Sequence, residues 1–217
     1  MSGINLIECM VTWQGEGPDT GKYMLLCRFK NCQLNCPFCD TKIKMKNSLN
    51  GFYTLEEMQK AIDDIHGGLL ITGGEPTMYI DELSTMLTEL NYTTANVETN
   101  GFHLREILLQ TKSISNVKFI FSPKNKLKEK DVSHYKNDNR VFYKFVIDRI
   151  VDTDINSINR QSLELLKKQT DNLQNVYLMP KGTTPHDLKN NSKLITDLAE
   201  MYKCNISTRM HLIYNFY

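Results

Sequence analysis

The sequence predicts an α/β fold, an open and partial (β/α) barrel of about six mainly parallel strands. Three observations predict it. Segments of strand character alternate with segments of helical periodicity, the strands are too few for a closed eight-stranded barrel, and polar or glycine-rich sequences follow several of the strands. Because each helical crossover returns the chain to the same end of the sheet, the loops after the strands should form one ligand-binding edge.

The first expected helix runs from Thr54 to Ile65. Thr54 is its N-cap, and Glu57 three residues later completes a capping box. Apolar residues recur at helical spacing within it: Leu55, Met58, Ala61, Ile62 and Ile65. The following run, Gly68-Leu-Leu-Ile-Thr72-Gly-Gly, is typical of a buried strand that ends in a glycine turn.

The later elements continue this alternation. Helices are expected at 81–90, 103–110, 156–169 and 185–202. Strands are expected at 95–98, 117–122, 141–147 and 176–179, with a last extended segment from Asn205. The Lys-, Asn- and Asp-rich segment between 122 and 141 is expected to be a surface loop.

Length and composition favour one globular domain spanning residues 1–217. The formal net charge of +1 gives no electrostatic footprint for nucleic acid or a membrane surface. No leader-like or membrane-spanning apolar run is found, so a cytoplasmic location is expected. Six cysteines in such a protein are typical of metal ligands or buried thiols, and Cys9, Cys27 and Cys204 are expected to be small buried residues.

The other three cysteines form the most informative motif, Cys32-Gln-Leu-Asn-Cys36-Pro-Phe-Cys39. Three thiolates on one loop leave one position of an iron–sulfur cluster or a zinc ion without a ligand from this loop. In a cubane cluster, the fourth iron would accept the amine and carboxylate of S-adenosylmethionine. The alternative is zinc with a fourth ligand from Asp40 or a distant histidine.

Several strand ends carry residues suited to a small ligand. Gly73-Gly74 would let the backbone approach a ligand and adopt positive φ, and Glu75 or its neighbouring carbonyls would receive an ammonium group. The pair Ser122 and Lys124 offers hydrogen bonds to a ribose or a carboxylate. Near the amino terminus, Trp13-Gln14-Gly15-Glu16 places an aromatic ring beside an amide and a carboxylate, a set suited to a heterocycle. Each of these motifs alone is also compatible with an ordinary turn.

Taken together, the motifs resemble a known superfamily. The Cys-x3-Cys-x2-Cys spacing and the Gly73-Gly74-Glu75-Pro76 turn resemble the cluster and cofactor-amine motifs of the radical S-adenosylmethionine (radical SAM) superfamily. Further segments along nearly the whole chain resemble the 7-carboxy-7-deazaguanine synthase family: Gln14-Gly-Glu-Gly17, Arg28, Cys39-Asp-Thr41, Thr72, Glu98-Thr-Asn-Gly101, Ser122-Pro-Lys124 and Met179-Pro180.

The resemblance implies a radical SAM core and a homodimeric lyase of the 7-deazapurine, queuosine-type pathway. Its substrate would be 6-carboxy-5,6,7,8-tetrahydropterin, and its products 7-carboxy-7-deazaguanine and ammonia. A [4Fe-4S] cluster reduced by a flavodoxin or ferredoxin would cleave S-adenosylmethionine, and the resulting 5′-deoxyadenosyl radical would abstract hydrogen from C6 of the pterin. The protein would hold the radical near its target and exclude water, and no catalytic side chain is assigned.

The resemblance also assigns residue roles. Cys32, Cys36 and Cys39 would bind the cluster, and Thr41 would be a ligand of Mg²⁺. The S-adenosylmethionine site would include Phe38, Asp40, Gly73, Gly74, Glu75, Thr99, Ser122, Pro123, Lys124, Met179, Pro180, Lys181 and Gly182. The pterin would contact Trp13, Gln14, Gly15, Glu16, Arg28, Thr72, His211 and, through its terminal carboxylate, Tyr217. Within this set, Arg28 would hold the pterin carboxylate in a bidentate fork.

Three positions depart from the family pattern: Asn31 replaces a glycine, Phe38 a tryptophan and Leu212 a lysine. Asn31 is expected to keep the turn because asparagine tolerates the left-handed region. Two other functions are compatible with the same cysteines. One is a radical SAM activase that forms a glycyl radical on a partner protein, and the other is a zinc-stabilised binding module without activity.

Overall fold

The computed structural model describes residues 3–36, 39, 51–170 and 172–216, and it is a mixed α/β protein with a mostly parallel sheet. Its strands are β1 Gly3–Leu6, β2 Glu8–Trp13, β3 Tyr23–Phe29, β4 Gly51–Thr54, β5 Gly68–Gly73, β6 Ala95–Thr99, β7 Val117–Phe121, β8 Val141–Ile147, β9 Val176–Pro180 and β10 Asn205–Ile206. Its α-helices are α1 Leu55–Ile65, α2 Ile80–Glu89, α3 Leu104–Gln110, α4 Glu129–Tyr135, α5 Ile158–Gln169, α6 Pro185–Tyr202 and α7 Met210–Tyr214.

The first compact unit comprises Met1–Trp13 and Lys22–Phe119. Its main strands follow the order β6-β5-β3-β2, in which β3, β5 and β6 are parallel and β2 is antiparallel to β3. A separate antiparallel pair joins β1 to β4. The parallel register, from Met24 beside Gly68 to Phe29 beside Gly73, brings the carboxyl ends of β3 and β5 to the same edge.

The second compact unit comprises Gln14–Gly21 and Ile120–Tyr217. Its strands β8, β9 and β10 are parallel, with β9 in the middle. Helices α4 to α7 also belong to this unit. The single-domain expectation stays a prediction, and each unit is described by itself.

The strands of the first unit have apolar residues on both faces, as expected for parallel strands covered on both sides. Met24, Leu26 and Leu70 form a buried cluster on one face. Because side chains alternate along a strand, Arg28 and Thr72 lie on this same face, one step nearer the carboxyl edge. The apolar cluster therefore lies on the same face of the sheet as Arg28 and Thr72, two of the residues expected to contact substrate.

Most expected elements are confirmed. The helices α1, α2, α3, α5 and α6 and the strands β5 to β9 appear within one or two residues of their predicted limits. The structure adds β1 to β4 ahead of the first predicted helix, so the strand number is larger than expected.

Two expectations on local structure are wrong. The polar segment after β7 contains helix α4, whose buried anchors are Val132 and Tyr135. Val132 and Tyr135 are two apolar residues among many polar and charged ones, and they do not form a helical pattern clear enough to predict a helix. The chain after β10 is not extended throughout, because Met210–Tyr214 forms α7, a short helix without a buried residue.

The isolated cysteines agree only partly with the expectation of burial. Cys27 is fully buried, whereas Cys9 and Cys204 are half-buried. Cys9 and Cys27 face each other on β2 and β3, with their sulfur atoms 3.8 Å apart. In the described part of the chain, no helix has the length and apolar character needed to cross a bilayer.

Helix α1 begins with the expected capping box. The backbone N–H of Glu57 donates to Thr54 Oγ1 over 3.2 Å, and the backbone N–H of Thr54 donates to Glu57 Oε2 over 2.8 Å. The carboxylate also accepts from the Thr54 hydroxyl, and these hydrogen bonds hold the pKa of Glu57 below its ordinary value. The box satisfies two donors that the first turn of a helix leaves unpaired.

We predict that Thr54→Ala lowers the free energy of unfolding by about 1 kcal/mol, the usual cost of losing an N-cap hydroxyl. Urea unfolding measures this. Thr88→Ala is the matched control because Thr88 is exposed and its hydroxyl only returns to the carbonyl of Ser84 within α2. Alanine has the higher helix propensity, so the control should be neutral or slightly stabilised. Equal losses in both variants would contradict the capping role.

Candidate active site

The three motif cysteines follow the carboxyl end of β3 in the first unit. All three are free thiols and half-buried. Partial burial raises the pKa of Cys32, and the nearby Glu75, Cys36 and Cys39 add to it, against a hydrogen bond from the Leu34 N–H that lowers it. In residues 3–36, 39, 51–170 and 172–216, no three His, Cys, Asp or Glu side chains converge closely enough to hold a metal ion. The donor set fits an iron–sulfur cluster by its chemistry, while the thiols are not gathered around one point.

The glycine turn after β5 lies against the segment that leads into these cysteines. The N–H of Gly74 donates to the carbonyl of Phe29 over 2.9 Å, and the N–H of Glu75 donates to the carbonyl of Asn31 over 2.8 Å. A Cβ atom on Gly73 would lie 2.2 Å from the Phe29 oxygen, and one on Gly74 would lie 2.0 Å from the Asn31 oxygen. The glycines therefore make room for the chain's own backbone, at the start of the cysteine loop.

The expected positive φ occurs at Gly73, where φ is 127°. It does not occur at Asn31. Among the described non-glycine residues, positive φ is found at His66, Lys203 and Asn215. The left-handed conformation expected at Asn31 is therefore wrong, and its backbone is held by Glu75 and by the Tyr79 hydroxyl instead.

Glu75 has its carboxylate inside the protein, with no exposed surface. Its Oε1 accepts hydrogen bonds from the Thr77 N–H at 3.1 Å, the Thr77 hydroxyl at 2.7 Å and the Thr99 hydroxyl at 2.6 Å. Its Oε2 accepts from the Asn100 N–H at 2.6 Å. A carboxylate offers about four acceptor sites, so these bonds use its capacity. Glu75 and Thr99, both expected to contact the cofactor, here connect the ends of β5 and β6.

Asn100 belongs to the Glu98–Gly101 motif, but the sequence assigned it no role. Its side-chain Nδ2 donates to Cys32 Sγ over 3.6 Å. Its Oδ1 accepts a hydrogen bond from Gln33 Nε2 over 2.9 Å. Its backbone is fixed by Glu75. The motif Glu98-Thr-Asn-Gly101 therefore reaches the cysteine loop through Asn100, and its position after a predicted strand was the available signal.

Arg28 and Thr72 are direct neighbours on β3 and β5, and Glu8 pairs with Arg28 from β2. The Nε of Arg28 donates to Glu8 Oε2 over 2.7 Å. A bound carboxylate would therefore meet the two terminal nitrogens of Arg28, because Nε is already engaged. Trp13 pairs with Tyr23 at the other end of the β2–β3 ladder, 44% exposed, so the structure does not bring it to Arg28.

In the second unit, the loop from Gln14 to Gly17 is held by the segment around α7. The Met210 N–H donates to the Gly15 carbonyl over 2.9 Å, and the Gly17 N–H donates to Ser207 Oγ over 2.8 Å. A Cβ atom on Gly15 would lie 2.5 Å from Nδ1 of His211. Gly15 and His211, both expected to contact the pterin, are thus packed against each other.

Glu16 lies within a group of cationic side chains that the sequence analysis did not find. Its Oε2 accepts from Lys144 Nζ over 2.7 Å, its Oε1 accepts from Arg209 Nε over 3.1 Å, and His211 Nε2 is 3.9 Å away. Burial acts to raise the pKa of Glu16, but the charges of Lys144, Arg209 and His211 outweigh it and lower the pKa to about 2. Glu16 is therefore an anion at any ordinary pH.

The two remaining strand-end segments are also in the second unit. Ser122 is buried directly after β7, and Pro123 and Lys124 are half-buried. After β9, the Lys181 ammonium pairs with Asp148 at 2.7 Å, and the carbonyl of Gly182 accepts a hydrogen bond from the Arg209 guanidinium. Met179 and Pro180 are buried at the end of the strand. The expected positions at the carboxyl ends of strands are thus confirmed for both segments.

Four expected site residues lie outside the described part of the chain: Phe38, Asp40, Thr41 and Tyr217.

Comparison with known proteins identifies the family. A model of the Radical SAM superfamily matches residues 26–123, the stretch that holds the second half of β3, the three cysteines and the Gly73-Gly74 turn. The chain is thus similar to the radical SAM superfamily over a little less than half of its length. Similarity to that superfamily implies a [4Fe-4S] cluster and S-adenosylmethionine, for which three thiols on one loop are a suitable donor set.

Similarity extends well beyond the radical SAM segment. The 7-carboxy-7-deazaguanine synthase of Hyperthermus butylicus is 28% identical over 97% of this chain and 92% of its own length. The enzyme of the same name from Clostridium acetobutylicum is 29% identical over 81% of this chain and 80% of its own length. The crystal structure of QueE from Escherichia coli superposes with a TM-score of 0.62 at 19% identity, covering 96% of this chain and 95% of that chain. The last likeness confirms the expected fold.

We predict that Gly74→Ala disrupts the cysteine loop, because the new methyl group would collide with the carbonyl of Asn31. The expected results are a loss of about 1–3 kcal/mol in the free energy of unfolding and a reduced iron content after anaerobic reconstitution. Iron analysis and denaturant unfolding measure the two effects.

The matched control for this glycine is Gly21→Ala. Gly21 has φ of 90°, and a Cβ atom added there would have nothing within 4 Å, so alanine brings backbone strain without a collision. It should lower stability by about 1 kcal/mol and leave the iron content unchanged. A Gly74→Ala variant with full iron content would show that the close approach of Gly74 to the Asn31 carbonyl is not needed to shape the cysteine loop.

We also predict that Glu75→Gln lowers the free energy of unfolding by about 1–3 kcal/mol. The amide would turn an NH₂ group towards donors from Thr77, Thr99 or Asn100 and leave them unpaired. Glu106→Gln on α3 is the control, since that carboxylate is 54% exposed and lies beside the ring of His103, at 3.3 Å. The control should change stability by less than about 0.5 kcal/mol. Similar losses in both variants would show that the buried hydrogen bonds of Glu75 are unimportant.

Proposed function

We propose that this protein is a 7-carboxy-7-deazaguanine synthase, a radical SAM lyase that converts 6-carboxy-5,6,7,8-tetrahydropterin to 7-carboxy-7-deazaguanine with loss of ammonia. The observation that carries the proposal is near full-length similarity to enzymes of that name, at 28% identity over 97% of the chain. The matched length includes the Gln14–Gly17 loop, which lies outside the radical SAM segment. The activase and zinc-module alternatives are not favoured, because the relatives that match along the chain are synthases.

When bound, the cluster would supply the electron that cleaves S-adenosylmethionine, giving the radical that abstracts hydrogen from the pterin. Cys32, Cys36 and Cys39 would hold it. We further propose that the carbonyls around Gly73 and Gly74 receive the ammonium of the cofactor, since the Glu75 carboxylate is already occupied by Thr77, Thr99 and Asn100. Ser122 to Lys124 and Met179 to Gly182 remain proposed contacts of the same cofactor.

The chain's own residues would bind and orient the pterin. Arg28 would hold the pterin carboxylate through its two terminal nitrogens, because Glu8 fixes its Nε, and Thr72 beside it offers a hydroxyl. Glu16, kept ionised by its cationic neighbours, would accept hydrogen bonds from the amino edge of the ring. Such positioning accounts for much of the catalytic effect expected from a protein that supplies no reacting side chain.

Four finer points belong to this proposal. Thr41 would provide one oxygen ligand to a Mg²⁺ ion that also binds the substrate carboxylate. By likeness to the family, a flavodoxin or ferredoxin would reduce the cluster and the enzyme would be a homodimer. A cytoplasmic location is also part of the proposal. Sedimentation analysis would establish the oligomeric state.

The function is tested by anaerobic turnover. Reconstituted protein, dithionite, S-adenosylmethionine and the tetrahydropterin should give 7-carboxy-7-deazaguanine by mass spectrometry and an equal amount of ammonia. Protein with about four irons per chain that cleaves S-adenosylmethionine but leaves the pterin unchanged would contradict the synthase and favour an activase. Colourless protein with one zinc ion would favour a binding module.

We predict that Cys32→Ala abolishes cleavage of S-adenosylmethionine and the brown colour of the cluster, because two thiolates cannot replace three. Cys204→Ala is the matched control. Burial raises the pKa of the Cys204 thiol to about 11, which keeps it protonated and unsuited to bind iron. Full activity in Cys204→Ala and none in Cys32→Ala is the expected result, measured as 5′-deoxyadenosine released per chain. Cleavage retained in Cys32→Ala would contradict the ligand assignment.

A further inference from the structure

Two buried cations hold the Glu16 carboxylate from both sides. Lys144 on β8 contacts Oε2 at 2.7 Å, and Arg209 before α7 contacts Oε1 at 3.1 Å. Their side chains are only 5% and 10% exposed, and that of Glu16 is 17% exposed. Each oxygen of the carboxylate therefore has its own cationic donor, a geometry that fixes the plane of the group.

Arg209 also connects Glu16 to a second segment of the unit. Its Nε binds Glu16, while Nη1 donates to the carbonyl of Gly182, at the carboxyl end of β9. The planar guanidinium presents these donors in a fixed relation, which an ammonium group cannot reproduce. Arg209 thus connects the Glu16 carboxylate, rather than the loop backbone, to the Gly182 segment.

The backbone around Glu16 is held independently. The Gly15 carbonyl and the Gly17 N–H are bonded to Met210 and Ser207. Contacts with Lys144 and Arg209 are therefore not needed to place the loop, and buried ion pairs are in general no more stabilising than apolar packing. Their specific effect is on the carboxylate itself, on its direction and its charge.

We propose that Lys144 and Arg209 are positioning residues of the synthase, which hold the Glu16 carboxylate in the one orientation that accepts hydrogen bonds from the amino edge of the pterin. This inference rests on the proposed function. The amino-pyrimidinone edge of a pterin offers adjacent N–H donors, and an ionised carboxylate keeps lone pairs for them beside its two cationic contacts. If Glu16 were protonated, its O–H would face the N–H groups of the pterin, and a hydrogen bond between them would be lost.

The kinetic test compares Lys144→Met and Arg209→Lys with the wild type. In Lys144→Met, KM for the pterin should rise about 10- to 100-fold, with KM for S-adenosylmethionine within about twofold. Arg209→Lys keeps the positive charge but removes the planar guanidinium that binds Glu16 and the Gly182 carbonyl together, so it should also raise KM for the pterin. Unchanged KM for the pterin in both variants would overturn the proposal.

Arg140→Met is the matched control. Arg140 is a buried cation paired with Asp138 at 2.7 Å, and it directly precedes β8, the strand that holds Lys144. Its replacement should lower the melting temperature without changing KM for the pterin. An equal rise in KM in this control would assign the effect of Lys144→Met to general destabilisation and overturn the positioning role.

A pH profile separates orientation and charge from simple packing. The charged groups that face Glu16 are Lys144, Arg209 and His211, and burial alone would raise its pKa. In Lys144→Met, KM for the pterin should therefore rise further as the pH falls from 8 to 5.5, relative to the wild-type profile, which contains the same His211. A constant ratio of the two KM values across this range would contradict the proposal.

Carbon-13 NMR of glutamate-labelled, oxidised holoenzyme gives a readout that needs no substrate. The Glu16 carboxyl signal, assigned by its loss in Glu16→Gln, should not titrate above pH 4.5 in the wild type and should titrate at higher pH in Lys144→Met. If the wild type fails to turn over the pterin, the proposed function fails, and this titration still decides whether the two cations control Glu16. A Glu16 signal that titrates identically in both proteins overturns the inference.

Discussion

The pairing of backbone between the end of β5 and the segment before Cys32 is the constraint on which the candidate site depends. Gly74 and Glu75 donate to the carbonyls of Phe29 and Asn31, and a side chain at either glycine of the turn would collide with that backbone. The parallel register of β3 and β5 brings both segments to one edge. As a result, Cys32, the first cysteine of the motif, follows directly from a fixed point of the sheet.

Two glutamates show how environment separates the roles of chemically identical groups. Glu75 is bonded to neutral donors of Thr77, Thr99 and Asn100, which use its acceptor capacity and join neighbouring strand ends. Glu16 is bonded to the cations Lys144 and Arg209, which lower its pKa to about 2 and leave acceptor sites for a ligand. The first carboxylate therefore stabilises the protein, and the second is suited to recognition.

Local patterns predicted much of this structure, and contacts distant in sequence were missed. The capping box of Thr54 and Glu57, the buried strand at Gly68–Gly73 and the glycine at positive φ depend on neighbouring residues and were predictable. Lys144 and Arg209 were not, because their partner Glu16 is far away in sequence and a lysine within a strand resembles a solvent-facing residue. Helix α4 was missed because its sequence is almost entirely polar. Strand β3 was also missed, although its apolar run was a usable signal for a buried strand.

We propose that the glycine turn contacts the cofactor through its backbone carbonyls while the Glu75 side chain stays within the protein. A crystal structure of anaerobically reconstituted protein with S-adenosylmethionine tests it most directly. We expect three thiolates on the cluster, the amine and carboxylate of S-adenosylmethionine on the fourth iron, carbonyls of the turn beside the ammonium, and Glu75 still bonded to Thr77, Thr99 and Asn100. A fourth protein ligand on the cluster, or a Glu75 carboxylate turned outward to bind the ammonium, would contradict the account.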